Sequence, residues 1–81
     1  MMDHSAVFIR VNPRDVNFVN QIMEGYEYYG VVTTLDRATG VLVVRATDDT
    51  SPEVRAILAD LPVAVEFLTA GEAEKFVNKG K

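Results

Sequence analysis

Met23–Thr47, MEGYEYYGVVTTLDRATGVLVVRAT, is the stretch that decides the fold of this chain. It contains a helix end, three tyrosines and two runs rich in β-branched residues, Gly30 to Leu35 and Val41 to Thr47. β-Branched residues favour strands, and Asp36 to Gly40 between the runs has the length and the glycine of a short hairpin loop. We therefore predict a β-hairpin that the flanking segments cover.

One strand and one helix are predicted before the hairpin. Ser5 to Asn12 alternates apolar residues with a period of two, which indicates a strand. Asn12 followed by Pro13 predicts a helix start, because asparagine accepts from free backbone N–H groups and proline fits the first turn. Asp15 adds a favourable negative charge there. Gly25 is predicted to end the helix in the left-handed conformation.

A second helix and a last strand are predicted after the hairpin. Thr50-Ser51-Pro52-Glu53 is a helix-start signal, and the apolar spacing that follows indicates a single buried helix face ending at Pro62. Val63 to Leu68 alternates again and is predicted to be a strand. The polar tail, 69–81, is predicted to be either a short helix or disordered.

The predicted order, β-α-β-β-α-β, is the ferredoxin-like pattern of an α+β domain. Right-handed crossovers place two helices on one face of a four-stranded antiparallel sheet. We expect a single domain over residues 5–68. The strand residues expected to face the helices are Val7, Ile9, Val11, Val31, Leu35, Leu42, Val44, Val63, Val65 and Phe67.

The opposite face of the sheet is predicted to be unusually apolar. A monomer rarely exposes a wide apolar patch, so we expect a homodimer that uses this face or an adjoining strand edge. In an alternative, the tail folds back and Phe76 and Val77 cover part of the face. The apolar residues assigned to this face are Phe8, Val32, Val41, Val43, Ala64 and Leu68, and the polar ones are Arg10, Thr34, Arg45 and Glu66. Of these, the expected dimer interface comprises Phe8, Val32, Val41, Val43 and Leu68.

Composition argues against several functions. A net charge of -4 disfavours nucleic acid. An RNA-binding sheet using Phe8 with Arg10 and Arg45 is a third possibility for the open face, but the third strand has valines where stacking aromatics are needed. The first residues lack the pattern of a signal peptide and no apolar run could span a membrane, so we expect a cytoplasmic protein.

No catalytic or metal-binding set is recognisable. The chain has no cysteine and one histidine, His4, near its start. Asp48 and Asp49 precede a helix and are assigned to turn and capping chemistry. We expect neither an enzyme nor a cofactor.

The Asn-Pro-Arg-Asp turn after the first strand and the MEGYEYYGVVTTLD segment resemble the ACT-like regulatory domains. They are also similar to a family of short, uncharacterised bacterial proteins described only as a domain of unknown function. In ACT domains this turn and the neighbouring second strand bind amino acids at a dimer interface, although the turn here lacks the glycine usual in that family. The resemblance implicates Asn12, Arg14, Asp15, Tyr28 and Gly30 as ligand-binding residues.

These observations predict a non-enzymatic regulatory or interaction module. In the first hypothesis it senses an amino acid or small anion at the first turn, where free N–H groups of a helix start and Arg14 are available. In the second it is an assembly or adaptor domain that acts through the open sheet face.

Overall fold

The computed structural model describes residues 6–78. His4, Ser5 and residues 79–81, on which parts of the sequence predictions fall, lie outside the described residues. The elements are β1 (Val7–Val11), α1 (Val16–Glu24), β2 (Gly30–Asp36), β3 (Val41–Ala46), α2 (Ser51–Ala59), β4 (Val65–Leu68) and α3 (Ala70–Asn78). A single 3-10 turn, Pro13–Asp15, leads into α1.

The four strands form one antiparallel sheet in the order β2-β3-β1-β4. This order confirms the α+β, ferredoxin-like prediction, with β1 and β3 in the centre and β2 and β4 at the edges. One apolar core lies between the sheet and the first two helices. Its fully buried members are Val7, Ile9, Val11, Val16, Val19, Met23, Leu42, Val44, Val54 and Leu58.

The predicted signal at the start of the first helix is confirmed, whereas the conformation predicted at its end is not. Asn12 Oδ1 accepts a hydrogen bond from the backbone N–H of Arg14 at 3.1 Å, as expected of a cap. Gly25 does end α1, but its φ is -71°, so the predicted left-handed conformation is wrong. The chain instead continues through a further turn, in which the N–H of Tyr29 donates to the carbonyl of Tyr26 at 2.8 Å.

The predicted orientation of β2 is wrong by one residue. Val32 pairs with Val44 and packs in the helix-side core, whereas Val31 pairs with Arg45 on the other face and is 60% exposed. The reason lies at Gly30, where an added Cβ would come within 2.8 Å of Val44 and 3.3 Å of Val54 in α2. Gly30 therefore faces the helices. Because successive residues of a strand point to opposite faces, Val32 also faces the helices and Val31 does not.

The polar tail is a helix that covers the open sheet face. Thr69 and Glu72 form a reciprocal cap at its start: the Thr69 N–H donates to Glu72 Oε1 at 2.8 Å, and the Glu72 N–H donates to Thr69 Oγ1 at 3.1 Å. The alternative in which the tail folds back is therefore the observed one. A second apolar cluster joins α3 to the sheet and comprises Val41, Leu68 and Ala73, with Phe8, Leu35, Phe76 and Val77 packed against it.

Candidate functional site

The predicted oligomer interface is largely covered within the chain itself. Val41 and Val43 are fully buried and Leu68 is 9% exposed, because α3 lies over this part of the sheet. Phe8 is half-buried in the same cluster. Val32, the fifth residue of the predicted interface, faces the helices. These five residues therefore do not form an exposed patch in the described part of the chain.

The strand-one turn borders a cavity of about 420 Å³, which we name the turn cavity. It lies where β1 ends and β4 begins, beside the hairpin loop. Gly40 holds the loop against β1: its φ is 79°, and its carbonyl accepts a hydrogen bond from the Val11 N–H at 2.8 Å. The lining residues are Arg10, Val11, Asn12, Pro13, Thr39, Ala64, Val65 and Glu66.

The turn cavity has an unusual polar composition for so small a domain. Arg10 Nε lies 3.2 Å from Glu66 Oε1, so a cation and an anion stand side by side at its wall. The Thr39 hydroxyl oxygen is buried and has no hydrogen-bond partner among residues 6–78. Buried polar atoms are nearly always hydrogen-bonded in proteins, so the unpartnered Thr39 hydroxyl beside the cavity is an exception.

A second depression, the edge groove, runs between α1 and β2 and has a volume of about 640 Å³. Asn20 Nδ2 donates to Thr34 Oγ1 at 3.2 Å and Arg37 Nη1 donates to Asn17 Oδ1 at 3.0 Å, so side-chain hydrogen bonds tie α1 to the strand and its hairpin. The groove is acidic at one end. Its lining residues are Asn17, Asn20, Gln21, Met23, Glu24, Glu27, Gly30, Val31, Val32 and Thr34.

The three tyrosines between α1 and β2 have different environments. Tyr29 packs against the core and contacts Tyr26 and Tyr28 with ring centroids 6.2 and 5.5 Å away. Tyr28 is 88% exposed, the largest exposed fraction among the large apolar residues of the described chain. Large aromatic side chains commonly bury one ring face in proteins, so Tyr28 is available to a partner or a ligand.

The five predicted ligand-binding residues do not meet in one place. Asn12 lines the turn cavity, and exposed Arg14 and half-buried Asp15 belong to the adjoining 3-10 turn. Gly30 lies in the edge groove beside Tyr28 at the opposite end of the sheet. The six-residue step from Gly30 to the end of β2 separates the two groups by about 20 Å at the rise of a strand.

Sequence reasoning missed three features of this region. Arg10 and Glu66 were assigned to one sheet face, yet their pairing at the turn cavity depends on the β1–β4 register, which joins residues far apart in the chain. Thr39 looked like an ordinary hairpin residue. The Thr69-Ala70-Gly71-Glu72 sequence is a capping-box pattern and was the available signal for α3.

Two structural findings for residues 6–78 concern metal clusters and membrane-spanning helices. No group of three or more His, Cys, Asp or Glu side chains there is arranged to hold a metal ion. None of the helices in this range is long and apolar enough to cross a membrane.

Comparison with known proteins gives one match. The sequence model of a family described as a domain of unknown function, DUF4911, matches residues 9–65, which is more than half of the chain and spans β1 to the start of β4. No curated protein and no solved structure matches.

Proposed function

The chain belongs to the DUF4911 family, which confirms the expected uncharacterised family, and we propose that it is a non-enzymatic regulatory module. In this proposal it works as a homodimer and senses an amino acid or a small anion at the strand-one turn. The supporting observation is the separation of the ligand-binding candidates into two groups at opposite ends of β2, an edge strand whose outer side has no neighbouring strand. A two-fold pairing of two β2 edges would bring one group of each subunit toward the other group of its partner.

The β2 edge is suited to such pairing. Its seven residues, GVVTTLD, include neither proline nor lysine, the residues with which proteins commonly block an exposed edge. Alternate residues of an edge strand direct their backbone N–H and C=O groups outward, where a second strand can bind them. Val31 adds an apolar side chain that is 60% exposed.

Symmetry limits the register of the paired strands. A two-fold axis perpendicular to the sheet keeps paired residues on the same face, so the residue numbers of each pair add up to an even value. An axis at Thr33 places Thr33 opposite itself and Val31 near Leu35 of the partner subunit. Leu35 lies at the irregularity between Thr34 and Asp36 and packs on the α3 side of its sheet. We propose this register because it matches apolar with apolar side chains.

Charge and aromatic groups at the two ends of β2 are complementary in this arrangement. Glu27 and exposed Tyr28 lie just before the strand, and Arg37 lies just after it. Antiparallel pairing brings each end beside the opposite end of the partner. Arg37 of one subunit would then stand near Tyr28 and Glu27 of the other, where ion-pair and cation–π contacts are favourable.

The same pairing links the strand-one turn to the dimer interface. Arg37 bonds to Asn17 in the first turn of α1, so the hairpin and the strand-one turn lie at the same end of the sheet. The partner's Tyr28 and Gly30 would approach that end. An amino acid or small anion bound at the turn would then be linked to the pairing of the β2 edges through the hairpin, which is how a ligand stabilises one assembly state over another.

A cysteine cross-link tests the dimer and its register together. The chain has no cysteine, so Thr33→Cys introduces a single thiol. In the proposed register the two Thr33 Cα atoms lie within the 4.4–6.8 Å that a disulfide spans, and we expect rapid covalent dimer formation on mild oxidation. Glu53→Cys, on the exposed start of α2, is the matched control. Equal cross-linking of both variants, or none in Thr33→Cys, would refute the proposal.

Ligand binding is tested separately by following backbone amide resonances of the wild-type chain during titration with glycine and with phosphate. We expect shifts at Asn12 and Thr39 and, through the partner, at Gly30. Shifts confined to residues remote from both groups, or no shifts, would contradict a sensing role.

A further inference from the structure

Arg10 takes part in three interactions at the end of β1. Its Nε pairs with Glu66, its side chain lines the turn cavity, and its Cζ lies 4.7 Å from the centroid of the Phe76 ring in α3. A guanidinium at this distance from an aromatic face makes a cation–π contact. One side chain therefore connects the cavity to the helix that covers the sheet.

The helix α3 depends on such contacts for its stability. It has nine residues, and isolated helices of this length are unstable in water. Ala73 is its buried residue, whereas Phe76 and Val77 are only partly buried against the sheet. Loss of a contact at Phe76 therefore weakens the attachment of the last turn of α3.

The turn cavity presents the chemistry of a zwitterion site. Arg10 uses Nε for Glu66, and a guanidinium has further N–H donors with which it can bind a carboxylate. The Glu66 carboxylate is an acceptor for an ammonium group.

We propose that Arg10 couples the turn cavity to α3, so that a small zwitterion or carboxylate bound in the cavity weakens the attachment of α3 to the sheet. A bound carboxylate takes up the remaining N–H donors of the guanidinium and draws it toward the cavity, away from the Phe76 ring. The cation–π attraction to Phe76 falls because it depends on that positive charge lying over the ring. The opening of α3, which exposes Phe8, Val41 and Leu68, then becomes more frequent. This inference rests on the proposed sensing role and describes how the chain responds when the ligand binds.

Amide hydrogen exchange of the full chain tests the coupling. In Arg10→Ala we expect exchange in α3 to become about two- to fivefold faster, as a lost exposed cation–π contact implies, with exchange in α2 unchanged. Arg55→Ala removes another exposed arginine that lies over an aromatic ring, that of Phe67 at 5.8 Å, and should leave α3 exchange unchanged. Glycine and acetate are the probes, and each should accelerate α3 exchange in the wild type and have no further effect in Arg10→Ala.

The outcomes separate this inference from the proposed function. Unchanged α3 exchange in Arg10→Ala would overturn the coupling whatever the ligand data show. Glycine-induced shifts at Asn12 and Thr39 without faster α3 exchange would also overturn it, while the sensing role stands. A faster α3 in Arg10→Ala with no glycine or acetate effect at any amide would refute the sensing role and, with it, the weakening of the α3 attachment by ligand.

Discussion

Gly40 and Val11 are joined by a backbone hydrogen bond that only glycine permits at this position. The Val11 N–H donates to the Gly40 carbonyl at 2.8 Å, and a Cβ on Gly40 would lie 1.9 Å from the Val11 carbonyl oxygen. The φ of 79° adds strain for any other residue. This contact fixes the hairpin loop to β1 and so forms one wall of the turn cavity.

We expect Gly40→Ala to lower the free energy of unfolding by at least about 2 kcal/mol, since the clash and the backbone strain act together. Gly71→Ala is the matched control, because a Cβ there meets only Thr69 Oγ1 at 4.0 Å and alanine favours a helix. Chemical denaturation of the two variants measures both effects. A Gly40→Ala protein as stable as the wild type would contradict the described loop.

The orientation of β2 is tested by a charged residue at adjacent positions. Val32→Lys places an ammonium group in the core, and we expect a loss of at least about 2 kcal/mol of unfolding free energy. Val31→Lys replaces a 60% exposed side chain, so its effect on the unfolding of the single chain should be within about 0.5 kcal/mol. Thermal unfolding at low protein concentration compares the two. The reverse order of stability would restore the orientation predicted from sequence.

The covering role of α3 is tested by ending the chain at Thr69. We expect the shortened chain to retain its sheet but to expose the apolar cluster of Phe8, Val41 and Leu68, with increased binding of the dye ANS and a tendency to associate. Circular dichroism and dye fluorescence report the two properties. Unchanged dye binding would mean that α3 does not shield this face in solution.

Glu72→Ala is a milder test of the same helix. It removes the acceptor of the 2.8 Å bond from the Thr69 N–H, and loss of such a cap costs about 0.5–2 kcal/mol of helix stability. Amide exchange should rise in the first turn of α3, whereas Glu74→Ala, two residues further along and outside the cap, should have little effect. Equal amide exchange in the first turn of α3 in both variants would show that the capping box does not stabilise this helix start.

The order of elements up to β4 could be predicted from sequence because it depends on local signals, and the ferredoxin-like pattern with right-handed crossovers then implies the sheet. The Asn12-Pro13 start, the hairpin glycine and the spacing of apolar residues each favoured the observed element. The orientation of β2 could not be predicted in this way. Val31, Val32 and Leu35 are all apolar, and the deciding contact of Gly30 with Val44 and Val54 is a tertiary one.

The candidate site was predicted less well than the fold, again for a physical reason. Asn12 was identified correctly as a cap, but the neighbouring charge in the turn cavity is Arg10 on β1 and not Arg14. The pairing of Arg10 with Glu66 follows from the β1–β4 register, and the contact with Phe76 requires that α3 fold over the sheet. Both depend on how distant segments meet.

The solution mass of the full chain and of Val31→Lys tests the central claim most directly. Light scattering on a sizing column at micromolar concentration should give twice the 9.0 kDa chain mass for the wild type. Val31→Lys should give the single-chain mass with unchanged circular dichroism, because lysine on an exposed edge strand opposes pairing. A wild type of 9.0 kDa, or a Val31→Lys protein that remains a dimer, would contradict the proposed assembly through β2.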